Sequence, residues 1–170
     1  MNFQEIIAWI VSNQEYAEFS IFLVGFFESF ILVGTFWPSI ILLLVALALN
    51  EIGISIINIC FFAGIGSFLG DTLSYYLGMF FGPKMKEVNF VKKRVNNLIK
   101  AEKFIQKYGS GAVFLGRFVP AIRPFIPFIT GLSSMSQKVF IVSAFLACIL
   151  WAFSLALILI GIDNILLMLS

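Results

Sequence analysis

The chain has 170 residues, of which 61% are hydrophobic and 12% charged, with a mean hydropathy of +1.04 and a formal net charge of +2. That composition lies far outside the range of soluble domains and describes an integral membrane protein, which excludes a soluble catalytic domain and leaves no nucleic-acid partner to expect. Histidine is absent. The usual general base and the commonest metal ligand are therefore missing, so any proton chemistry falls to carboxylates, and no cofactor or metal is expected.

Residues 1–18 contain Glu5, Glu15 and Glu18 but no lysine or arginine. They lack the positive region of a secretory signal, and no cleavage is expected. Phe3, Ile6, Ile7 and Ile10 recur at helical spacing and predict a short interfacial helix. From Phe19 to Asn50 the chain is apolar except for Glu28, too long for one ordinary span and too short for two. Pro38, within Gly34-Thr35-Phe36-Trp37-Pro38-Ser39, is the expected breaker. The economical reading is a re-entrant hairpin of two half-helices, one carrying Glu28 and the other running from Ile40 to Leu49; the rival is one long tilted helix kinked at Pro38.

After a polar turn at Asn50-Glu51-Ile52-Gly53, residues 54–82 predict a long apolar helix whose sole charge is Asp71. Gly64, Ser67, Asp71, Ser74, Tyr75 and Gly78 share one face of it, a small and polar stripe that should look inward. Gly66 and Gly70 form a small-xxx-small pair beside that stripe. Gly82-Pro83 is expected to end the helix.

Eight of the 11 basic residues fall between Lys84 and Lys107, which the positive-inside rule places on the cytoplasmic side. Val91, Val95, Leu98, Ile105 and Tyr108 recur at three- and four-residue steps, so this segment reads as a surface helix, a topology determinant compatible with docking of anionic headgroups. Residues 112–129 are long enough to enter the membrane, yet Pro120, Pro124 and Pro127 prevent a continuous helix, which predicts a second re-entrant hairpin. A clean span follows at 139–160. Cys60 and Cys148 sit within apolar runs and read as packing residues, assigned to neither a disulfide nor a metal.

The expected architecture is thus an all-α integral membrane domain. It has two oppositely oriented re-entrant hairpins plus transmembrane helices, with a first half at 19–82, the basic surface helix at 84–107 and a second half at 110–160. This is the inverted-repeat plan by which transporters build a midplane site from broken helices.

Four charges remain at membrane depth: Glu28, Asp71, Arg117 and Arg123. An arginine in hydrocarbon costs roughly 2.5–3.5 kcal/mol on insertion scales, so the two arginines call for partners or a wet cavity. One reading is a neutral clamp in which arginines and carboxylates hold the hairpins to the Asp71 helix. The other makes Arg117 and Arg123 a receptor for a phosphate, with Glu28 or Asp71 taking up a coupling proton as the hairpins rock.

Phe27-Glu28-Ser29 with Val33-Gly34 and Pro38-Ser39, Gly70-Asp71 with Tyr75 and Gly78, and above all GRFVPAIRPFIPFITG at 116–131 resemble the DedA family of bacterial membrane proteins. That family belongs to the superfamily of SNARE-associated Golgi proteins and VTT-domain lipid scramblases. The resemblance covers about residues 20–160. It implies two opposed re-entrant hairpins, a multi-pass place in the bacterial cytoplasmic membrane, and movement of lipids such as undecaprenyl phosphate, linked to the proton motive force and to envelope homeostasis. It also implies essential acids at Glu28 and Asp71 and essential arginines at Arg117 and Arg123. Many members carry a further acid just after the first proline motif, where this chain has Ser39-Ile40-Ile41, so a coupling scheme needing that carboxylate does not carry over.

The leading expectation is a flippase for a lipid phosphate, undecaprenyl phosphate or a phospholipid, with lipids and protons as partners and self-association as a homo-oligomer left open. The alternative is a proton-coupled ion or small-solute transporter or channel. A purely structural or assembly role, satisfied by the clamp alone, also stands. No enzymatic activity is expected, since no serine stands beside a plausible base.

Overall fold

The computed structural model describes residues 14–36, 39–85, 95–119, 122–133 and 135–169. These residues form eight helices and no strand: α1 Gln14–Ser29, α2 Ile31–Gly34, α3 Ile40–Glu51, α4 Ile56–Met85, α5 Val95–Tyr108, α6 Gly111–Gly116, α7 Phe125–Leu132 and α8 Gln137–Leu169. The expected interfacial helix near residues 3–10 and the breakers Pro38 and Pro120 lie outside the described residues.

Among the described residues two helices are long and apolar enough to cross a membrane, Ile56–Phe80 in α4 and Gln137–Ile162 in α8. At about 1.5 Å per residue each exceeds the ~30 Å hydrocarbon core. Only 39% and 22% of their respective apolar windows are buried, so neither behaves as the core helix of a soluble protein. Val142, Phe145, Leu146, Ile149 and Phe153 of α8 point outward, as a lipid-facing wall requires. By contrast α3 has 12 residues, about 18 Å, half a crossing.

The first interruption comes earlier than the proline predicts. Helix α1 ends at Ser29 and Phe30 adopts an extended conformation (φ −78°, ψ 122°) before the single turn of α2, so one continuous kinked helix is ruled out. A break away from water frees backbone groups that need partners. The α4 face supplies them: Ile31 N–H donates to Ser74 Oγ at 2.9 Å, while the Ser74 hydroxyl faces the Gly70 and Ser29 carbonyls.

In the second half, α6 stops at Gly116, and the described residues 117–119 and 122–124 lie outside helices before α7, whose N-cap is Pro124. Pro127 is not a breaker. It lies in the first turn of α7, where a backbone N–H has no intrahelical acceptor to lose. Likewise α4 runs through Gly82-Pro83 to Met85 rather than ending there, because proline near a helix end forfeits one bond without stopping the last turn.

Helix α4 is the axis. Its stripe is buried as the periodicity predicts, Gly64, Ser67, Asp71, Ser74, Tyr75 and Gly78 all facing protein. Helices α1 and α7 lie on it at backbone contact: a Cβ at Gly66 would overlap the Phe22 carbonyl, and one at Gly78 the Phe128 carbonyl. Two apolar cores result. One gathers Ile21, Leu42, Ala46, Ile59, Ala63 and Leu155, and the other Ile31, Tyr75, Phe125, Phe128, Phe140 and Ile105 of α5. Tyr75 stacks on Phe140 at 4.2 Å and donates to the Met135 carbonyl, tying α4 to the start of α8. The charged residues lie between the two cores.

Candidate functional site

Each charged side chain reaches the centre from a different element. Glu28 occupies the last turn of α1, Asp71 the middle of α4, Arg117 the C-cap of α6 and Arg123 the residue before the N-cap of α7. The positions of the two arginines beside helix ends follow from the local sequence. Gly116 packs against Ile126, and Arg123 N–H donates to the Val119 carbonyl at 3.0 Å, which brings α7 back beside α6 and both arginines to one face.

All four are at most 6% exposed. Arg117 Nη1 pairs with Asp71 Oδ2 and Arg123 Nη1 with Glu28 Oε1. The two pairs are fused by a hydroxyl. Ser67 Oγ accepts from Arg117 Nη2 at 2.6 Å and from Arg123 Nη2 at 2.9 Å. Those bonds occupy both of its lone pairs, so its proton is left for Ser29 Oγ, which also accepts from Arg123 Nη2 at 3.2 Å. Over the guanidiniums lies the Trp151 ring of α8, its centroid 5.4 Å from Arg117 Cζ and 4.9 Å from Arg123 Cζ, within cation–π range.

The cluster carries no net charge, two guanidiniums against two carboxylates, yet it is not fully satisfied. Glu28 Oε2, Arg117 Nε and Arg123 Nε are buried without a hydrogen-bond partner. A cavity of about 220 Å³ is lined by other parts of these residues, Glu28, Arg117 and Arg123, with Ser39 and Trp151 and with apolar walls from α3 and α8. Chemically the arrangement places two guanidiniums and a carboxylate beside a cavity in a low-dielectric setting, where charge-assisted hydrogen bonds are strong.

Sequence reasoning assembled the four charges but missed the serines and Trp151 as their partners. Ser67 lies one helical turn before Asp71, which was the available signal. Trp151, in mid-span rather than in an interfacial belt, was another. Among the described residues no group of three or more His, Cys, Asp or Glu comes together to hold a metal. Cys60 and Cys148 are free and buried, and both line a separate apolar groove between α4 and α8.

A VTT domain is matched over residues 30–160, which takes in the whole site except Glu28 and Ser29. An uncharacterized membrane protein of Buchnera aphidicola subsp. Acyrthosiphon pisum is 31% identical over 86% of this chain and 57% of its own length. In Escherichia coli strain K12, the inner membrane protein YabI is 31% identical over 84% of this chain and 57% of its own, and the protein DedA 33% identical over 77% and 62%. This chain thus spans little more than half the length of these curated relatives. No solved structure matches it. With the matched domain covering most of the chain and the broken helices and spanning helices in place, the chain belongs to the DedA family of VTT-domain membrane proteins.

Proposed function

We propose that this protein moves a lipid phosphate, undecaprenyl phosphate or a phospholipid, across the bacterial cytoplasmic membrane, in a step linked to the proton motive force. The observation that carries the reading is the convergence of Arg117 and Arg123 on one hydroxyl, beside a cavity and under an indole ring, deep within an apolar molecule. Two guanidiniums held this close repel each other and gain most from a ligand that brings negative charge to both. The YabI protein is named as an inner membrane protein, which supports that location for a relative.

In this reading the two interrupted insertions act as opposed re-entrant hairpins of an inverted repeat. The arginines take the phosphate, and Glu28 or Asp71 takes the proton that keeps the buried site near neutrality when an anion enters. Neither a bound cofactor nor catalysis is invoked. The test is lipid movement in proteoliposomes with and without a pH gradient. Arg117→Ala and Arg123→Ala should each abolish it, and transport of undecaprenyl phosphate or phospholipid that is unchanged in both variants would refute the proposal. The exchange of Glu28→Arg with Arg123→Glu separates a receptor from a clamp, because it preserves the ion pair while moving the guanidinium; activity should stay lost.

A further inference from the structure

At the end of α4 farthest from the basic segment, α1 and α4 hold a second charged feature that the arginine centre does not use. Glu18 precedes Glu28 on α1 by about 15 Å along the helix. Its Oε1 accepts from Asn58 Nδ2 of α4 at 2.6 Å, which fixes the carboxylate at the seam between the two helices. With Phe19, Phe22 and Phe62 it lines a cavity of about 370 Å³. Neither of the two ion pairs among the described residues includes Glu18, and position 84, where the basic segment begins, lies about 40 Å along α4 from Asn58. We propose that this pocket binds a lipid-soluble organic cation, an ammonium or phosphonium with apolar arms, its charge against the Glu18 carboxylate and its arms among the three phenyl rings.

The lining selects among occupants. Calcium takes about six to eight oxygen ligands, and the cavity offers one carboxylate that already shares an oxygen with Asn58. An anion is repelled by that carboxylate. A neutral hydrocarbon suits the rings but strips water from the carboxylate without supplying a counter-charge. A diffuse organic cation meets both halves, because phenyl rings attract cations at their faces and pack against apolar arms. Phe19 and Phe22 lie nearly parallel, 16° apart with centroids at 6.0 Å, and form a ready wall. The Phe22 carbonyl seats on Gly66, one helical turn beyond Phe62, so the two sides of the pocket are held at backbone level before any ligand arrives. Phe19 is 55% exposed, and the pocket therefore opens at the outer surface of the helices, where a guest dissolved in the bilayer reaches Glu18 without crossing the packed interior.

The experiment uses two probes of nearly the same size and shape and opposite charge, tetraphenylphosphonium and tetraphenylborate. Each is equilibrated separately with the full chain in a non-ionic detergent, and binding is read by equilibrium dialysis after subtraction of uptake by empty micelles. Tetraphenylphosphonium should bind, and tetraphenylborate at least about fivefold more weakly, the scale of one carboxylate contact and one cation–π contact at a partly exposed site. Equal binding of the two ions by the unaltered chain overturns the proposal and needs no variant to fold. Glu18→Gln keeps the shape and an oxygen for Asn58, and should weaken the phosphonium about fivefold while leaving the borate unchanged. Phosphonium binding that is the same in Glu18→Gln overturns the assignment of the site. Phe62→Leu, which keeps an apolar wall without its ring, should weaken the phosphonium about threefold. Displacement of the bound phosphonium by equal concentrations of phosphatidylethanolamine gives the pocket to a lipid headgroup and overturns the free cation as its occupant. Binding here is independent of the lipid-phosphate reading, which holds or fails separately in the transport assay.

Discussion

At Ser67 two cations meet on one oxygen, and the residue has no slack: it is fully buried, and both lone pairs and the proton are engaged. Ser67→Ala removes the shared acceptor without adding bulk. It should lower stability by about 1–3 kcal/mol, the penalty of leaving buried donors unmet, read as an earlier thermal unfolding transition in detergent; an unchanged transition would show that the two ion pairs hold the arginines unaided. The four charges were legible in the sequence because charges at membrane depth are few and costly, so each stands out against its apolar neighbours. Their serine and tryptophan partners were not. A serine in a glycine-rich helix and a tryptophan in an apolar one are ordinary residues, and only the chain's return at 117–124 gives them something to hold.

Among the elements, the helices themselves were readable from hydropathy and length, and the inward stripe of α4 from its spacing. Breaks were harder, because proline has different effects at different helix positions. Pro127 begins a helix and Pro83 rides near the end of one, whereas the decisive interruption after Ser29 falls at Phe30, a residue with no intrinsic tendency to break. That break exists because Ser74 of another helix satisfies the freed N–H, a long-range compensation that no local pattern announces. The glycines give a matched test of which helix contacts are tight. Gly66→Ala and Gly78→Ala place a methyl into a neighbouring carbonyl, so α1 or α7 must move off α4, at a cost of about 1–3 kcal/mol. Gly161→Ala, which meets open space within α8, should instead stabilise the helix by about 0.5–1 kcal/mol. Thermal unfolding of the three variants side by side checks the ordering, and equal effects at all three positions would deny the tight seams.

Across the whole molecule, the charged centre is walled on one side by backbone-tight seams and on the other by side chains alone. Helices α1 and α7 touch α4 through glycine, whereas α3 and α8 close the cavity through Leu42, Leu43, Leu155 and Ile158. Side-chain packing can slide by rotamer exchange; carbonyls seated on glycines cannot without losing the seam. A cleavable bis-maleimide joining Leu42→Cys to Leu155→Cys, with Cys60 and Cys148 replaced by alanine, should therefore halt lipid movement in proteoliposomes, and cleaving the linker should restore it. Transport that proceeds with the link in place would mean that the opening lies elsewhere. In the proposed transport reading, the glycine seams act as a mechanical ground: with the α1–α4–α7 triad as the stationary jaw, α3 and α8, which bring no charge to the centre, make the stroke that exposes the arginines.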